Sequence, residues 1–194
     1  MYSSDKEITV KEILNYAMSN PHLGGIGAAS HVHVWEKFLE KERGDTLELG
    51  GGGNSTPFIS SRLKGHEFVT LESSKEWADR ITESKWHIHP NHRCEHVPDW
   101  DKYDWSWVKA RRWKYIFIDH APGAHRIKEV VRLLPYCDFL IIHDTEADRG
   151  AGAYGWSKVD WIPEYWVEYL ASWNVPSTTV CSNYHNPELL VPKF

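Results

Sequence analysis

Cysteine is scarce in this 194-residue chain: Cys94, Cys137 and Cys181 are odd in number and far apart, with no C-x-x-C pair. They build no disulfide framework, which excludes a small stapled fold and favours a reducing, cytosol-like compartment. Long apolar runs are missing as well. No stretch approaches the roughly 20 residues that cross a bilayer, and Met1–Glu7 lacks the basic-then-apolar order of a signal peptide. A soluble, cytoplasmic protein with no membrane partner is therefore expected. Nor does positive charge predominate: 22 Lys and Arg against 27 Asp and Glu leave a net charge of -5. No global basic field is present to hold a nucleic-acid backbone, so a nucleic-acid partner is not expected. Internal repeats and low-complexity segments are absent.

What the chain does have is tryptophan, 11 in all. Most fill cores by virtue of their large apolar faces, while Trp100, Trp105 and Trp107, in an irregular stretch, are candidates to line a pocket. Apolar residues recur at helical spacing over Ile8–Asn20 and again over Ser30–Glu42, where Ser30 is the expected N-cap. From Asp45 the texture changes to strands alternating with helices. Strands are expected at Thr46–Leu49, Glu67–Glu72, Trp86–His89, Lys114–Asp119, Asp138–His143, Trp166–Ser172 and Ser177–Ser182. Helices are expected at Asn54–Leu63, Ser74–Ser84, Trp105–Ala110 and Arg126–Leu134, with Pro90–Asp104 irregular. Near-continuous apolar strands separated by helices imply a parallel sheet covered on both faces, and the last two strands suit an antiparallel hairpin. The expected fold is a three-layer α/β sandwich in one domain, with residues 1–43 as a helical extension beside or over the pocket and 44–194 as the core.

Glu48-Leu49-Gly50-Gly51-Gly52-Gly53-Asn54-Ser55 joins the first strand to a helix. Glycine lets a ligand approach the backbone, and the helix N-terminus offers free N–H groups to an anionic group. Glu72 ends the next strand, 20 residues after Gly52, where a carboxylate can accept hydrogen bonds from ribose hydroxyls. Together these point to a nucleoside-containing ligand.

The Glu48–Thr56 segment resembles the first motif of class I S-adenosylmethionine-dependent methyltransferases, and Phe68–Ala78 resembles the second, in which the Glu holds the cofactor ribose. The resemblance runs from about Asp45 to Ser182, and implies a Rossmann-like sheet closed by an antiparallel hairpin. It also implies that Glu48, Gly50 and Gly52 surround the methionine part of the cofactor. The expected cofactor-binding set is Glu48, Gly50, Gly51, Gly52, Asn54, Ser55, Glu72, Ser73 and Asp119. A NAD-dependent oxidoreductase shares the opening physics, but its third glycine would fall at Ser55. A non-catalytic module of the same fold is a further alternative.

Two other strands end in acid–histidine pairs, Asp119-His120 and His143-Asp144, and ligands of such sheets bind beyond the strands' carboxyl ends. His120 or His143 is a candidate general base, with Asp119 beside them as a catalytic group. Alternatively Asp119 and Asp144 could hold Mg2+ or Mn2+ through oxygen. Phe117–His120 resembles the corresponding segment of catechol O-methyltransferases, and metal-dependent sugar O-methyltransferases place acids after the same strands. The sequence departs from the catechol pattern at Ala121-Pro122-Gly123, where a Lys is usual, and at Thr145, where an Asn is usual. The resemblance implies transfer to a hydroxyl. The aromatic, Gly-rich segment from Asp144 to Trp161 is expected to be a lid over a small-molecule acceptor, a sugar or glycan. His87, His89, His92, Cys94 and His96 fit no zinc spacing and are expected in a wet connector. Arg126 is expected to be a solvated helix charge or the partner of an acid.

Overall fold

The computed structural model describes residues 6–23, 25, 27–83, 89–145, 156, 163–169 and 176–194. The chain begins with α1 (Val10–Ser19) and α2 (Val32–Lys41). The alternating part then runs β1 (Thr46–Leu49), α3 (Ser55–Arg62), β2 (Phe68–Glu72), α4 (Lys75–Glu83) and β3 (His92–His96). It continues with α5 (Ser106–Lys109), β4 (Trp113–Ile118), α6 (Arg126–Leu133) and β5 (Cys137–His143). The end is β6 (Tyr165–Tyr169), β7 (Thr178–Ser182) and a short α7 (Pro187–Leu190). Among the described residues, no helix is long and apolar enough to cross a membrane.

The strands form one sheet in the order β3-β2-β1-β4-β5-β7-β6. β1 pairs in parallel with β2 on one side and β4 on the other, and β7 runs antiparallel to both β5 and β6. Chain order therefore reverses at β1, and the crevice beyond its carboxyl end is where such sheets bind ligands. Strand alternation divides the core. Tyr115 and Phe117 of β4 face a cluster with Trp35, Phe38 and Phe58, while Ile116 and Ile118 face one with Trp105, Val130 and Leu133. Each large apolar side chain so buried contributes about 1.5–3 kcal/mol, and cover on both faces explains why β1, β2, β4 and β5 read as near-continuous apolar runs interrupted by few polar residues.

Two local expectations change, and a third falls largely outside the described residues. His31, not Ser30, stands at the N-cap position of α2, in helical conformation and without a capping side-chain bond. The Ser30 hydroxyl is used elsewhere, as described below. The expected strand at Trp86–His89 is not placed: residues 86–88 lie outside the described residues, and His89 precedes β3. The stretch expected to be irregular instead contains β3, an edge strand whose burial alternates only weakly. Its order comes from backbone pairing with β2 and from His92, whose ring stacks on Phe68 at 4.3 Å and bonds Thr70 Oγ1 at 2.9 Å. The expected lid is represented among the described residues by Asp144, Thr145 and Trp156, and the rest of it lies outside them.

Thr9 and Glu12 form a reciprocal capping box at the start of α1. Thr9→Ala removes a side-chain acceptor for the Glu12 N–H, so urea unfolding is expected to show a loss of about 1 kcal/mol.

Candidate functional site

A cavity of about 450 Å³ opens beyond the carboxyl ends of β1, β2 and β4. Gly50, Gly51, Gly52, Asn54 and Ser55 line its floor, Glu72 and Ser73 one wall, and Asp119 another. Eight of the nine residues expected around a cofactor therefore meet in one space, Glu48 being the exception.

The glycines do different work. Gly50 has φ +89°, and a Cβ there would lie 2.5 Å from the His120 Cα, so the fold itself requires glycine. At Gly51 a Cβ would press into Thr70 Cγ2 at 2.6 Å, a packing requirement. At Gly52 an added Cβ meets nothing within 4 Å. The fold leaves that position open toward the cavity.

Glu48 lies beneath the turn with no exposed surface. Its Oε2 accepts from Thr56 Oγ1 and Thr70 Oγ1, both at 2.8 Å. Burial pushes its carboxyl up to about 7, against the opposing bonds from Ser55, Thr56 and Thr70. Because the folded value exceeds the unfolded one, Glu48 takes up a proton on folding between about 4.5 and 7, and the associated stability is lost as pH rises through that window. Glu48→Gln keeps an oxygen for the two threonines. It is expected to flatten this part of the stability–pH profile in thermal melts and to raise stability relative to the wild type above pH 7. An unchanged profile would show that Glu48 ionises freely.

Glu72 is anchored by backbone amides: Oε2 accepts from Gly51 N at 2.9 Å and Oε1 from Ser74 N at 2.7 Å. Burial raises its pKa, and these bonds oppose the rise. Held this way, the carboxylate keeps lone pairs directed at the cavity. Ser74 also caps α4, its hydroxyl accepting from Trp77 N at 3.3 Å. That turn brings Trp77, which carried no assignment in the sequence, to the cavity lining.

The acid–histidine pairs separate on inspection. His120 is fully buried, its ring 4.5 Å from Trp100, and it does not line the cavity. Burial, followed by the nearby Arg126 charge, depresses it to about 3. This placement gives it no route to a substrate proton. His143 sits beneath Asp119, with Nδ1 3.2 Å from Asp119 Oδ1 and 3.4 Å from Asp144 Oδ1. Its Nε2 is 2.8 Å from Ser30 Oγ, and Ser30 donates its own proton to the Pro176 carbonyl at 3.0 Å. Burial opposes charging of His143, but Asp119 and then Asp144 raise its pKa overall.

The Asp119–Asp144 pair does not fit the hard divalent cation expected between them. Arg126 lies there, buried, with NH2 2.9 Å from Asp119 Oδ1 and NH1 2.9 Å from Asp144 Oδ2. It also donates to the carbonyls of Asp119, His120 and His143. Burial alone would raise the Asp119 pKa, but His143 and Arg126 outweigh it and bring it down to about 2. Asp144 adopts φ 58°, the left-handed region, to reach this guanidinium. Trp100, Trp105 and Trp107 prove to be packing residues: Trp100 and Trp105 are buried, Trp107 packs against the same core, and none lines the cavity.

The roof comes from the N-terminal segment. Tyr16, Ala28 and His31 complete the cavity, and Asn54 Nδ2 donates to the Ala28 carbonyl at 3.2 Å. Neither Tyr16 nor His31 carried a sequence signal. His31 is 1% exposed, and burial, with the neighbouring His143 charge, depresses it to about 3.

No family model and no curated protein matches the chain. Solved structures do. An O-methyltransferase from Bacillus cereus in complex with SAH is 15% identical, with TM-score 0.58 over 91% of each chain. The O-methyltransferase TomG from Streptomyces achromogenes, in complex with SAM, is 13% identical, with TM-score 0.57 over 91% of each chain. The N-terminal domain of human METTL16 is 10% identical, with TM-score 0.58 over 91% of this chain and 83% of that one. The chain has the fold of the class I S-adenosylmethionine-dependent methyltransferases.

Proposed function

We propose that this protein transfers the methyl group of S-adenosylmethionine to a hydroxyl of a small polar acceptor, of the sugar or glycan class. The observation that carries the cofactor assignment is the open space over Gly52, facing an amide-anchored Glu72. The residues present fit the cofactor. Glu72 offers remaining lone pairs to ribose hydroxyls, and Trp77 offers a flat face for a base. The start of α3, at Asn54 and Ser55, offers N–H groups to a carboxylate. When bound, the cofactor supplies an electrophilic methyl carbon on a sulfonium.

Tyr16, His31 and Asp119 also line the cavity, and their polar groups suit a hydroxyl acceptor more than an apolar one. Asp119 stays ionised because His143 and Arg126 hold it so, and its carboxylate can accept a hydrogen bond from the acceptor hydroxyl and orient its lone pair. His143 acts by fixing Asp119. His120 has no part in this step.

Titration calorimetry with S-adenosylmethionine, S-adenosylhomocysteine and NAD+ tests the cofactor. Binding of the first two and not the third is expected, and the reverse would make the protein a dinucleotide enzyme. Transfer of labelled methyl to a panel of sugars, catechols and oligonucleotides then tests the acceptor class. Oligonucleotides belong in the panel because net charge does not describe the cavity. Binding with no transfer to any of them would favour a non-catalytic module.

A further inference from the structure

The Asp119 end of the cavity contains a cluster whose hydrogen bonding is incomplete. Ser30 gives its only proton to Pro176, so its oxygen must accept from His143 Nε2. That bond fixes His143 with a proton on Nε2. Its Nδ1 then faces Asp119 Oδ1 and Asp144 Oδ1, at 3.2 and 3.4 Å. Three acceptor atoms converge there, and a positive species must lie among them.

Arg126 fills that role only in part: its NH2 pairs with Asp119 Oδ1 and its NH1 with Asp144 Oδ2, and the Asp144 Oδ1 atom is left facing His143. A proton on Nδ1 would satisfy His143 and one carboxylate. It would leave His31 unexplained. Both ring nitrogens of His31 are buried with no hydrogen-bond partner, and the ring lies 4.7 Å from that of His143. An unpaired buried imidazole costs about 1–3 kcal/mol. One donor atom each from His31, Asp119 and His143 lies within 4.8 Å of the others. A metal ion among them would satisfy all three at once.

We propose that His31, Asp119 and His143 form a binding site for a borderline first-row divalent ion of the zinc or iron(II) class. Two imidazoles and one carboxylate select such an ion over magnesium, which prefers an all-oxygen shell. The Ser30–His143 bond is the outer-shell contact that orients a ligating histidine. Because His31 and Asp119 also line the cavity, an ion held there would adjoin the space assigned above to the acceptor. Any part the ion plays in methyl transfer rests on that assignment, but the site itself does not.

The test uses the full chain, stripped with a chelator, dialysed and titrated with Co2+ while visible absorption is followed. Zn2+ and Mg2+ serve as competitors. One Co2+ per chain is expected, displaced by Zn2+ and not by Mg2+. His31→Gln should weaken binding by more than about 100-fold, beyond the 10–100-fold typical of an outer-shell change. If His31→Gln fails to fold, electron spin-echo spectra of the wild type loaded with Cu2+ should show two imidazole couplings. The proposal fails if the wild type binds no stoichiometric Co2+, if folded His31→Gln binds it as tightly, if Mg2+ competes equally, or if fewer than two imidazoles couple. S-adenosylhomocysteine affinity is measured on the same samples without metal. Its loss with metal binding intact would sink the methyltransferase reading and leave this site standing.

Discussion

Replacing Gly52 with valine is expected to weaken S-adenosylhomocysteine binding by at least about 100-fold, near 2.7 kcal/mol, while thermal stability changes by less than about 0.5 kcal/mol. The asymmetry follows from the space around the turn. An added Cβ at Gly52 touches nothing within 4 Å, so the fold leaves room for a side chain to start there, where a ligand lying over the turn would collide with it. Gly51→Ala makes the contrast, because its Cβ would press on Thr70 and cost stability before binding is considered. Calorimetry on both variants separates a glycine kept for the fold from one kept for the ligand. A Gly52→Val protein that binds the cofactor as tightly as the wild type would show that the cavity is not the cofactor site.

Arg126→Met should be the most destabilising single change at the site, by about 3–5 kcal/mol in urea unfolding. The loss of a positive group is only part of the cost. Asp119 and Asp144 would be left side by side with little solvent, and three strand-end carbonyls would lose a donor. Neutralising the acids as well, in Arg126→Met/Asp119→Asn/Asp144→Asn, is expected to recover part of the loss, which a simple packing defect would not do. A single variant within about 0.5 kcal/mol of the wild type would mean that solvent or another cation already compensates the two carboxylates.

The parts of the fold that could be read from the chain are those where one physical demand dominates. β1, β2, β4 and β5 are covered on both faces, so burial makes them predominantly apolar rather than alternating. The glycine turn and Glu72 could be read because backbone access and a strand-end carboxylate are local properties. β3 could not, since an edge strand of His, Arg, Cys and Glu is ordered by pairing rather than by its own hydrophobic period. Ser30 looked like a cap because serine before a helix usually is one; a partner 113 positions away claimed it instead. His31 and Tyr16 were invisible for the same reason, as their roles come from the roof they form rather than from their neighbours in sequence. Arg126 allowed two readings, and only the strand ends on either side of it decide for the buried ion pair.

The serine clasp carries a consequence for how the protein is made. Ser30 touches His143 and the carbonyl of Pro176, contacts 113 and 146 positions distant along the chain. A ribosome must therefore release most of the polypeptide before the roof can be fastened, although the glycine turn and Glu72 emerge early. Long-range closures of this kind are slow to form. A nascent chain halted before residue 176 would hold the floor of its binding chamber without the Pro176 half of this clasp, and full ligand capture should be among the last abilities it gains.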